Sequence, residues 1–268
     1  MPDHDPESSS VGSFIAVAIN NTNTSIGLAE GLAVSRVTTV ASAESEAIGN
    51  VAASLLDADP GIVLLSSVNQ AATEPAIRAI RAATGLDVRQ FGPDMPVPIA
   101  HTIPEPITTG LDRFLCALGA FETINQACVV VDAGTALTCD FVDGQGVFHG
   151  GAIIPGGQMM LDALPAKAPA LPRLNLADMP SPLEPFGKST EHAMLLGVQA
   201  AARGAVRYLA ERYAEFYEAY PQIIATGGGV LPLFGDDELI EQVVPDLQLV
   251  GIAAARKRLI EADEEGSD

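Results

Sequence analysis

The stretch Val129–Asp140, VVVDAGTALTCD, decides how we interpret this chain. Three valines predict a buried strand, and the acidic residue Asp132 then precedes a sharp turn at Gly134 and a returning strand. Glycine permits such a turn, which leaves backbone N–H groups free to hold phosphate oxygens. The hydroxyl of Thr135 adds a donor, and the carboxylate can hold an accompanying cation. Alone, the stretch fits an ordinary hairpin turn equally well.

A second unit of the same form occurs in the first part of the chain. Val17–Gly27, VAINNTNTSIG, again joins two apolar segments through a polar tip. Asn20 and Asn21 tolerate the positive φ that tight turns often need. Two such units predict a duplicated α/β lobe and favour a nucleotide clamp over two unrelated hairpins. We therefore predict ATP contacts at Asn21, Thr22, Asn23 and Thr24.

A third glycine turn, Thr226–Gly229, follows a short apolar strand. Consecutive glycines allow a flat ligand such as adenine to approach the backbone closely. Gly227 and Gly228 are therefore predicted ATP contacts. The GxGxxG pattern is missing, so the sequence does not support a dinucleotide site of the Rossmann type.

The segment Gly110–Arg113, GLDR, lies at a predicted helix start. A carboxylate at a helix N-terminus is stabilised in its ionised form, so Asp112 could accept a proton from a substrate hydroxyl. Arg113 could pair with an anionic substrate group through its planar guanidinium. The alternative is a helix-capping aspartate followed by a surface arginine.

Other segments complete the predicted organisation. We expect a disordered leader at 1–13, a first lobe at 14–114, a second lobe at 115–260 and an acidic tail at 261–268. The terminal helix of the second lobe could pack back on the first. Smaller features are a strand at Ile62–Ser66, a helix at Glu74–Thr84, irregular proline-rich sequence at Pro93–Pro106, a helix at Leu111–Glu122, a loop at Leu164–Pro185, a long helix at Thr190–Ala219, a strand at Leu247–Ile252 and a helix at Ala253–Ile260.

Composition restricts the partners. The formal net charge is −20, which repels nucleic acid and anionic membranes, so we expect neither. Cys116, Cys128 and Cys139 form no CxxC pair, which favours a reduced protein without a disulfide framework or a zinc site. The chain begins without the basic and apolar regions of a signal peptide, and its apolar runs are too short for a membrane span. We predict a cytoplasmic location.

Five motifs in a fixed order carry a family resemblance, which covers nearly the whole chain from Phe14 to Ile260. They are GLDR at Gly110, VDAGTALTCD at Val131, GGAIIPGG at Gly150, KSTEHAMLLG at Lys188 and TGGG at Thr226. Together they resemble the type III pantothenate kinases, and the run from Val131 to Gly157 is the most specific part. The resemblance implies two ribonuclease-H-like, actin-like ATPase lobes with a cleft between them. It also implies transfer of the γ-phosphate of ATP to pantothenate, the first step of coenzyme A biosynthesis.

The resemblance also assigns roles to single residues and implies partners. Asp112 matches the general base, and Asp132 matches the ligand of a monovalent cation, K⁺ or NH₄⁺. Thr135 matches an ATP contact, and the family works with Mg²⁺ and as a homodimer. The segment that matches the pantothenate-binding motif supplies Gly110, Leu111 and Arg113, and Thr190 matches a further substrate contact.

Two departures from the family pattern leave alternatives open. The first family motif reads DxGNT, whereas the corresponding residues here are Ala18, Asn20, Asn21 and Thr22, so a carboxylate that helps to hold Mg²⁺ is missing. The aromatic substrate contact before GxDR is missing as well. The hypotheses are a working pantothenate kinase, a catalytically impaired kinase-like protein that binds nucleotide or pantothenate, and a sugar or acyl-group kinase of the same fold.

Overall fold

The computed structural model describes residues 12–178, 184–235 and 237–266 and divides the chain into two compact units. The first unit ends at Pro98 and resumes at Gln248, and the second comprises residues 99–247. Each unit contains one five-stranded mixed sheet. Among the described residues, none of the helices has both the length and the apolar character required to cross a membrane.

The first unit is a sheet with helices on both faces. Its order is β3-β2-β1-β4-β5, with β1 antiparallel to β2 and parallel to β4. Because side chains alternate along a strand, β1 contributes buried side chains to both faces of the sheet. The elements are β1 (Phe14–Ile19), β2 (Asn23–Glu30), β3 (Ala33–Ala41), α1 (Ser45–Ala53), β4 (Val63–Ser67), α2 (Gln70–Thr84), β5 (Val88–Gln90) and, from the end of the chain, α7 (Leu247–Glu265).

The two faces of β1 pack against different helices. Ile15, Val17 and Ile19 belong to a buried apolar cluster that includes residues of α1 and α2. The opposite face is covered by α7, whose Arg256 guanidinium lies 4.5 Å from the centre of the Phe14 ring. The residues that follow Phe14 on this face, Ala16 and Ala18, are small and buried.

The second unit repeats this topology. Its order, β10-β9-β6-β7-β8, has β6 antiparallel to β7 and parallel to β9, as β1 is to β2 and β4. The predicted duplication of an α/β lobe is therefore confirmed. The elements are α3 (Leu111–Ile124), β6 (Cys128–Ala133), β7 (Ala136–Val142), β8 (Phe148–Pro155), α4 (Gly157–Lys167), α5 (Thr190–Tyr217), β9 (Gln222–Thr226), α6 (Val230–Phe234) and β10 (Gln242–Val243).

The second sheet also has two different faces. Val129, Val131 and Leu137 belong to an apolar cluster with residues of α4, α5 and α6. The other face carries α3, whose Phe114 ring stacks edge-on at 5.0 Å against Phe148. This arrangement places the first turn of α3 over the polar residues of β6 and β7.

The structure departs from the predicted boundaries in two places. The units divide at Pro98, not between residues 114 and 115, because the helix that contains residue 114 packs as a whole on β6 and β7. The predicted strand Leu247–Ile252, the helix after it and most of the predicted tail form a single helix, α7, which runs to Glu265 and belongs to the first unit. The short apolar run at its start fits a buried helix as well as a strand.

Smaller corrections concern loops and turns. The predicted loop Leu164–Pro185 begins inside α4, which extends to Lys167, and residues 179–183 lie outside the described chain. Of the predicted leader, residues 1–11 lie outside the described chain, whereas the Ser13 hydroxyl donates a hydrogen bond to the Ala58 carbonyl at 3.0 Å. Neither Asn20 nor Asn21 adopts a positive φ.

Candidate active site

Four charged side chains meet on the face of the second sheet that α3 covers: Asp112, Arg113, Asp132 and Asp140. On β6 and β7, alternation places Asp132 and Asp140 on the face opposite the apolar cluster. The first turn of α3 brings Asp112 and Arg113 onto the same face. The charge of Asp112 contributes to raising the pKa values of both Asp132 and Asp140, so the three carboxyl groups form one electrostatic cluster.

Asp112 lies in the first turn of α3, as the sequence predicted. Its Oδ1 accepts a hydrogen bond from the backbone N–H of Arg113 at 2.9 Å. Burial raises the pKa of Asp112, while the bond from Arg113 and the Arg113 charge oppose the rise. A Cβ at Gly110, the residue before the helix, would overlap Asp112 Oδ1, so a larger residue there would displace the carboxylate from this position. The GLDR motif thus places a half-buried carboxylate at the positive end of a helix.

Arg113 forms an internal ion pair, a contact that the sequence analysis did not foresee. Its Nε donates to Asp140 Oδ2 at 3.0 Å, and its Nη2 also donates to Asp140 Oδ1. The two side chains are 14% and 3% exposed, so the pair is largely removed from water. The hydrogen bond with Asp140 raises the pKa of Arg113. One edge of the guanidinium is therefore committed to Asp140, and any substrate contact must use the remaining N–H groups.

Within the described residues, Asp132 differs from Asp112 and Asp140 in having no hydrogen-bond donor. It lies near the end of the central strand β6, and no donor of the described chain hydrogen-bonds to its carboxylate. Burial, together with the charges of Asp112 and Asp140, raises the pKa of Asp132 to about 7. A partly desolvated carboxylate that lacks a donor is a favourable place for a cation, because the cation would lower that pKa again.

Two glycine turns frame Asp132. Gly227 directly follows β9, the parallel neighbour of β6, and has φ +95°. A Cβ at Gly227 would lie 2.6 Å from Asp132 Oδ1, so only glycine fits beside the carboxylate. The next residue, Gly228, is exposed and has open space around it. On the other side, Gly134 and Thr135 are exposed at the β6–β7 turn, which the Gly134 N–H and the Ala136 carbonyl close at 3.0 Å.

The remaining predicted residues of the second unit lie at the start of helices. Leu111 is half-buried as the first residue of α3. Thr190 is the first residue of α5, whose N-cap Ser189 accepts a hydrogen bond from the His192 N–H at 3.2 Å. Thr190 lines an apolar cavity of about 540 Å³ with residues of α4 and α5, so its surroundings differ from the charged cluster.

In the first unit, the predicted tip residues divide into two groups. Asn21 and Thr22 are exposed between β1 and β2, and Asn23, the first residue of β2, is exposed as well. Thr24 is fully buried, and its hydroxyl hydrogen-bonds to the Ser42 hydroxyl at 2.9 Å, which in turn donates to the Asn20 carbonyl at 2.7 Å. Thr24 therefore braces the hairpin from inside, whereas the three residues before it face outward.

Asp140 is the last residue of the VDAGTALTCD motif, and no role was predicted for it. The sheet face on which Asp140 lies could nevertheless be predicted. Side chains alternate between the two faces along adjacent strands, and this alternation places Asp140 on the same face as Asp132. The structure also gives a reason for Gly151 on β8: a Cβ there would overlap the Cys139 carbonyl oxygen and both the Cα and the carboxylate of Asp140. The Arg113–Asp140 pair itself could not be foreseen, since it depends on how α3 crosses the sheet.

Comparison with known proteins gives a consistent family assignment. A model of the type III pantothenate kinase family matches residues 14–212. A type III pantothenate kinase of Syntrophotalea carbinolica is 30% identical over 253 residues, which cover 89% of this chain and 96% of that protein. One of Rhodopirellula baltica is 40% identical over 174 residues, which cover 62% of this chain and 60% of that protein.

Solved structures agree with the fold. The ROK hexokinase of Thermus thermophilus is 12% identical and has a TM-score of 0.51, with 91% of this chain and 98% of that chain covered. The activator of 2-hydroxyisocaproyl-CoA dehydratase from Clostridium difficile, solved with bound ADPNP, has a TM-score of 0.52 at 12% identity and covers 95% and 97%. At these identities the similarity concerns the fold alone.

Proposed function

Because the chain belongs to the type III pantothenate kinase family, we propose that it transfers the γ-phosphate of ATP to the primary hydroxyl of pantothenate, yielding 4′-phosphopantothenate and ADP. This reaction opens coenzyme A biosynthesis. The observation that carries the proposal is that Asp112, a half-buried carboxylate at a helix N-terminus, lies close enough to Asp132 to raise its pKa. Asp132 itself lies between two glycine turns and has no hydrogen-bond donor among the described residues. Phosphoryl transfer needs one group to orient the hydroxyl and others to neutralise charge.

Asp112 is the proposed general base. Its ionised carboxylate would accept the hydrogen bond of the substrate hydroxyl and take the proton as the bond to phosphorus forms. Burial raises the pKa of Asp112 towards the working pH, which makes the ionised form a better proton acceptor than an exposed aspartate. The Arg113 N–H holds Oδ1, so Oδ2 is the oxygen that we assign to the substrate.

Arg113 and its neighbours are proposed to bind pantothenate, whose carboxylate suits a guanidinium. The pair with Asp140 fixes the guanidinium plane, so the remaining N–H groups have a defined direction. Gly110, Leu111 and Thr190 remain predicted substrate contacts. The aromatic contact that the family pattern supplies is missing here, so more of the acceptor specificity falls on Arg113.

ATP and its cations have separate proposed positions. Thr135, Gly227 and Gly228 present backbone and hydroxyl groups at the ends of β6 and β9, where phosphate and adenine can approach. The described residues contain no group of three acidic, histidine or cysteine side chains suited to a metal ion. Mg²⁺ would then take most ligands from phosphates and water, as it commonly does, and supply charge neutralisation. The partnerless Asp132 fits a monovalent cation, K⁺ or NH₄⁺.

We also propose a homodimer. Tyr208 and Phe216 are large side chains on α5 that are 61% and 69% exposed, and burial against a second copy would remove them from water. Light scattering on a size-exclusion column should give twice the mass of 27.7 kDa. A monomer at all concentrations would contradict this part of the proposal.

The test of the activity is a steady-state assay of ADP release with ATP, Mg²⁺, K⁺ and pantothenate. We expect pantothenate-dependent turnover, which Asp112→Asn should lower by a factor of about 100 to 10,000 while calorimetric ATP binding persists. Asp87→Asn, an exposed aspartate of the first unit, is the matched control and should retain wild-type turnover. Wild-type protein that binds ATP without turnover would overturn the proposal in favour of the non-catalytic binding protein.

A further inference from the structure

A polar cavity of about 470 Å³ lies in the second unit, away from the charged cluster. It is at the edge of the sheet where β6 and β9 begin, whereas Asp132 lies near the end of β6. The extended chain from Ala127 to Asp132 spans about 17 Å, so the two places are separate. The volume suits a small molecule. The lining residues are Gln126, Ala127, Tyr217, Tyr220, Gln222 and Glu241.

Two carboxamides form one wall of this cavity. Gln126 Nε2 donates to Gln222 Oε1 at 2.9 Å, and the Gln222 backbone N–H donates to the Ala127 carbonyl at 3.2 Å. Whichever way the two amides are placed, this bond uses one carbonyl oxygen and one NH₂ group of the pair. The second carbonyl oxygen therefore remains to accept a hydrogen bond from a ligand.

Glu241 supplies a carboxylate that the backbone holds in place. Its Oε1 accepts a hydrogen bond from the Ile223 N–H at 3.2 Å, and its own N–H donates to the Ile223 carbonyl at 3.0 Å. Among the described residues, Oε2 has no donor. Of the lining residues Glu241 alone is charged, so the cavity disfavours an anion and attracts a cation.

Two tyrosine side chains complete the lining. The Tyr217 hydroxyl accepts a hydrogen bond from the Gly144 N–H at 3.1 Å, and the ring packs edge-on at 5.4 Å against Phe141, so its orientation is fixed. Tyr220 is 80% exposed and makes no hydrogen bond or ring contact within the described chain. An aromatic ring carries partial negative charge on its faces, which makes it a partner for a cation.

We propose that this cavity binds a small organic ammonium ion. The tyrosine rings contact the cation, Glu241 Oε2 pairs with its charge, and the free carboxamide oxygen accepts an N–H or O–H group of the same ligand. The inference goes beyond the proposed kinase activity and does not depend on it. ATP and pantothenate are both anions, which the negative charge of Glu241 disfavours at this place.

The test uses the tyrosine fluorescence of the whole chain, which has no tryptophan and four tyrosines, two of which line the cavity. Choline is the probe, and 3,3-dimethyl-1-butanol, which has carbon in place of the charged nitrogen, is the neutral control. Choline should change the emission saturably at low salt. The neutral analogue should bind at least about 10-fold more weakly, because it lacks the charge that the rings and the carboxylate recognise.

Two variants assign the binding to this cavity. Glu241→Gln removes the charge and keeps the shape, and it should weaken choline binding about 10-fold. Tyr220→Leu removes an exposed ring and should weaken it about 3-fold. Glu238→Gln, an exposed glutamate of the same connection that does not line the cavity, is the matched control and should bind choline as the wild type does. If circular dichroism shows that Glu241→Gln fails to fold, Tyr220→Leu carries the test.

The outcomes separate this inference from the proposed function. An emission that does not respond saturably to choline, with no heat of binding by calorimetry, would overturn the inference. Equal affinities for choline and its neutral analogue would also overturn it, because the cavity would then not select a cation. An equal loss in Glu238→Gln would show a general effect of net charge and would have the same consequence. Choline binding that depends on Glu241 in a protein without pantothenate turnover would support the site while refuting the kinase activity.

Discussion

Replacing Asp132 with asparagine tests how much free energy of unfolding is lost when this carboxylate ionises in the folded second unit. The ordinary pKa of 3.8 rises to about 7 because the group is buried and lies near Asp112 and Asp140. A folded pKa above the unfolded value means that the folded protein holds the proton more tightly. The contribution of Asp132 to stability is therefore present at acid pH and is lost as the pH rises from about 4 to about 7.

The magnitude follows from the size of the shift. Each pKa unit corresponds to about 1.4 kcal/mol, so the full shift corresponds to about 4 kcal/mol. At pH 5 Asp132 is already ionised in the unfolded chain, so part of this stabilising free energy is lost there. About 2 to 3 kcal/mol of it remains to be lost between pH 5 and pH 8. The asparagine side chain cannot ionise and has nearly the same shape as the aspartate that it replaces. The stability of the variant relative to the wild type should therefore be about 2 to 3 kcal/mol greater at pH 8 than at pH 5.

The assay is equilibrium urea unfolding of Asp132→Asn and wild type at both pH values in sodium buffer. The chain has no tryptophan, so far-ultraviolet circular dichroism is the appropriate signal. The difference between the two proteins reports the ionisation of Asp132 together with its coupling to Asp112 and Asp140. Added K⁺ should raise wild-type stability at pH 8 and leave the variant unchanged. A difference in unfolding free energy between variant and wild type that is the same at pH 5 and pH 8 would refute the reasoning.

Three further substitutions test the surrounding structure. Arg113→Met should destabilise the protein by about 3 to 5 kcal/mol in urea unfolding, because it leaves the charge of Asp140 buried and unpaired, and adding Asp140→Asn should recover part of the loss. Gly227→Ala should cost about 2 kcal/mol or more in the same assay, since it combines positive φ with a clash against Asp132, whereas Gly228→Ala in open space should have almost no effect; equal effects would contradict this account. Ala18→Asp restores the carboxylate of the family's first motif, so pantothenate-dependent ADP release with Mg²⁺ should rise about 100-fold or more, and an unchanged rate would contradict a role for this position in holding Mg²⁺.

Much of the fold could be predicted because its strands are short, apolar and separated by polar turns. The pattern at Val129–Asp140 gave both strands and the turn, and its repetition at Val17–Gly27 gave the duplication. The third strand of the first sheet was missed because Ala33–Ala41 is largely exposed and lacks an apolar run. The start of α7 was mistaken for a strand because this buried helix is apolar on several sides, which hides the helical period.

Only those residues of the candidate site whose positions are determined by a single local motif could be predicted. Asp112 and Asp132 follow from their positions at a helix start and a strand end, where local sequence decides the geometry. The Arg113–Asp140 pair and the Asn20–Gln248 bond join residues 27 and 228 positions apart, respectively. Such contacts depend on which sheet face a helix covers, and that is settled by packing of the whole unit.

The most direct measurement of the central claim is the identity of the product. The protein, ATP, Mg²⁺, K⁺ and pantothenate are incubated, and mass spectrometry follows 4′-phosphopantothenate against ADP. We predict equal amounts of both products with the wild type, and initial rates of formation of both that are about 100 to 10,000 times lower with Asp112→Asn. Release of ADP without a phosphorylated acceptor, or the same yield of 4′-phosphopantothenate from Asp112→Asn, would contradict it.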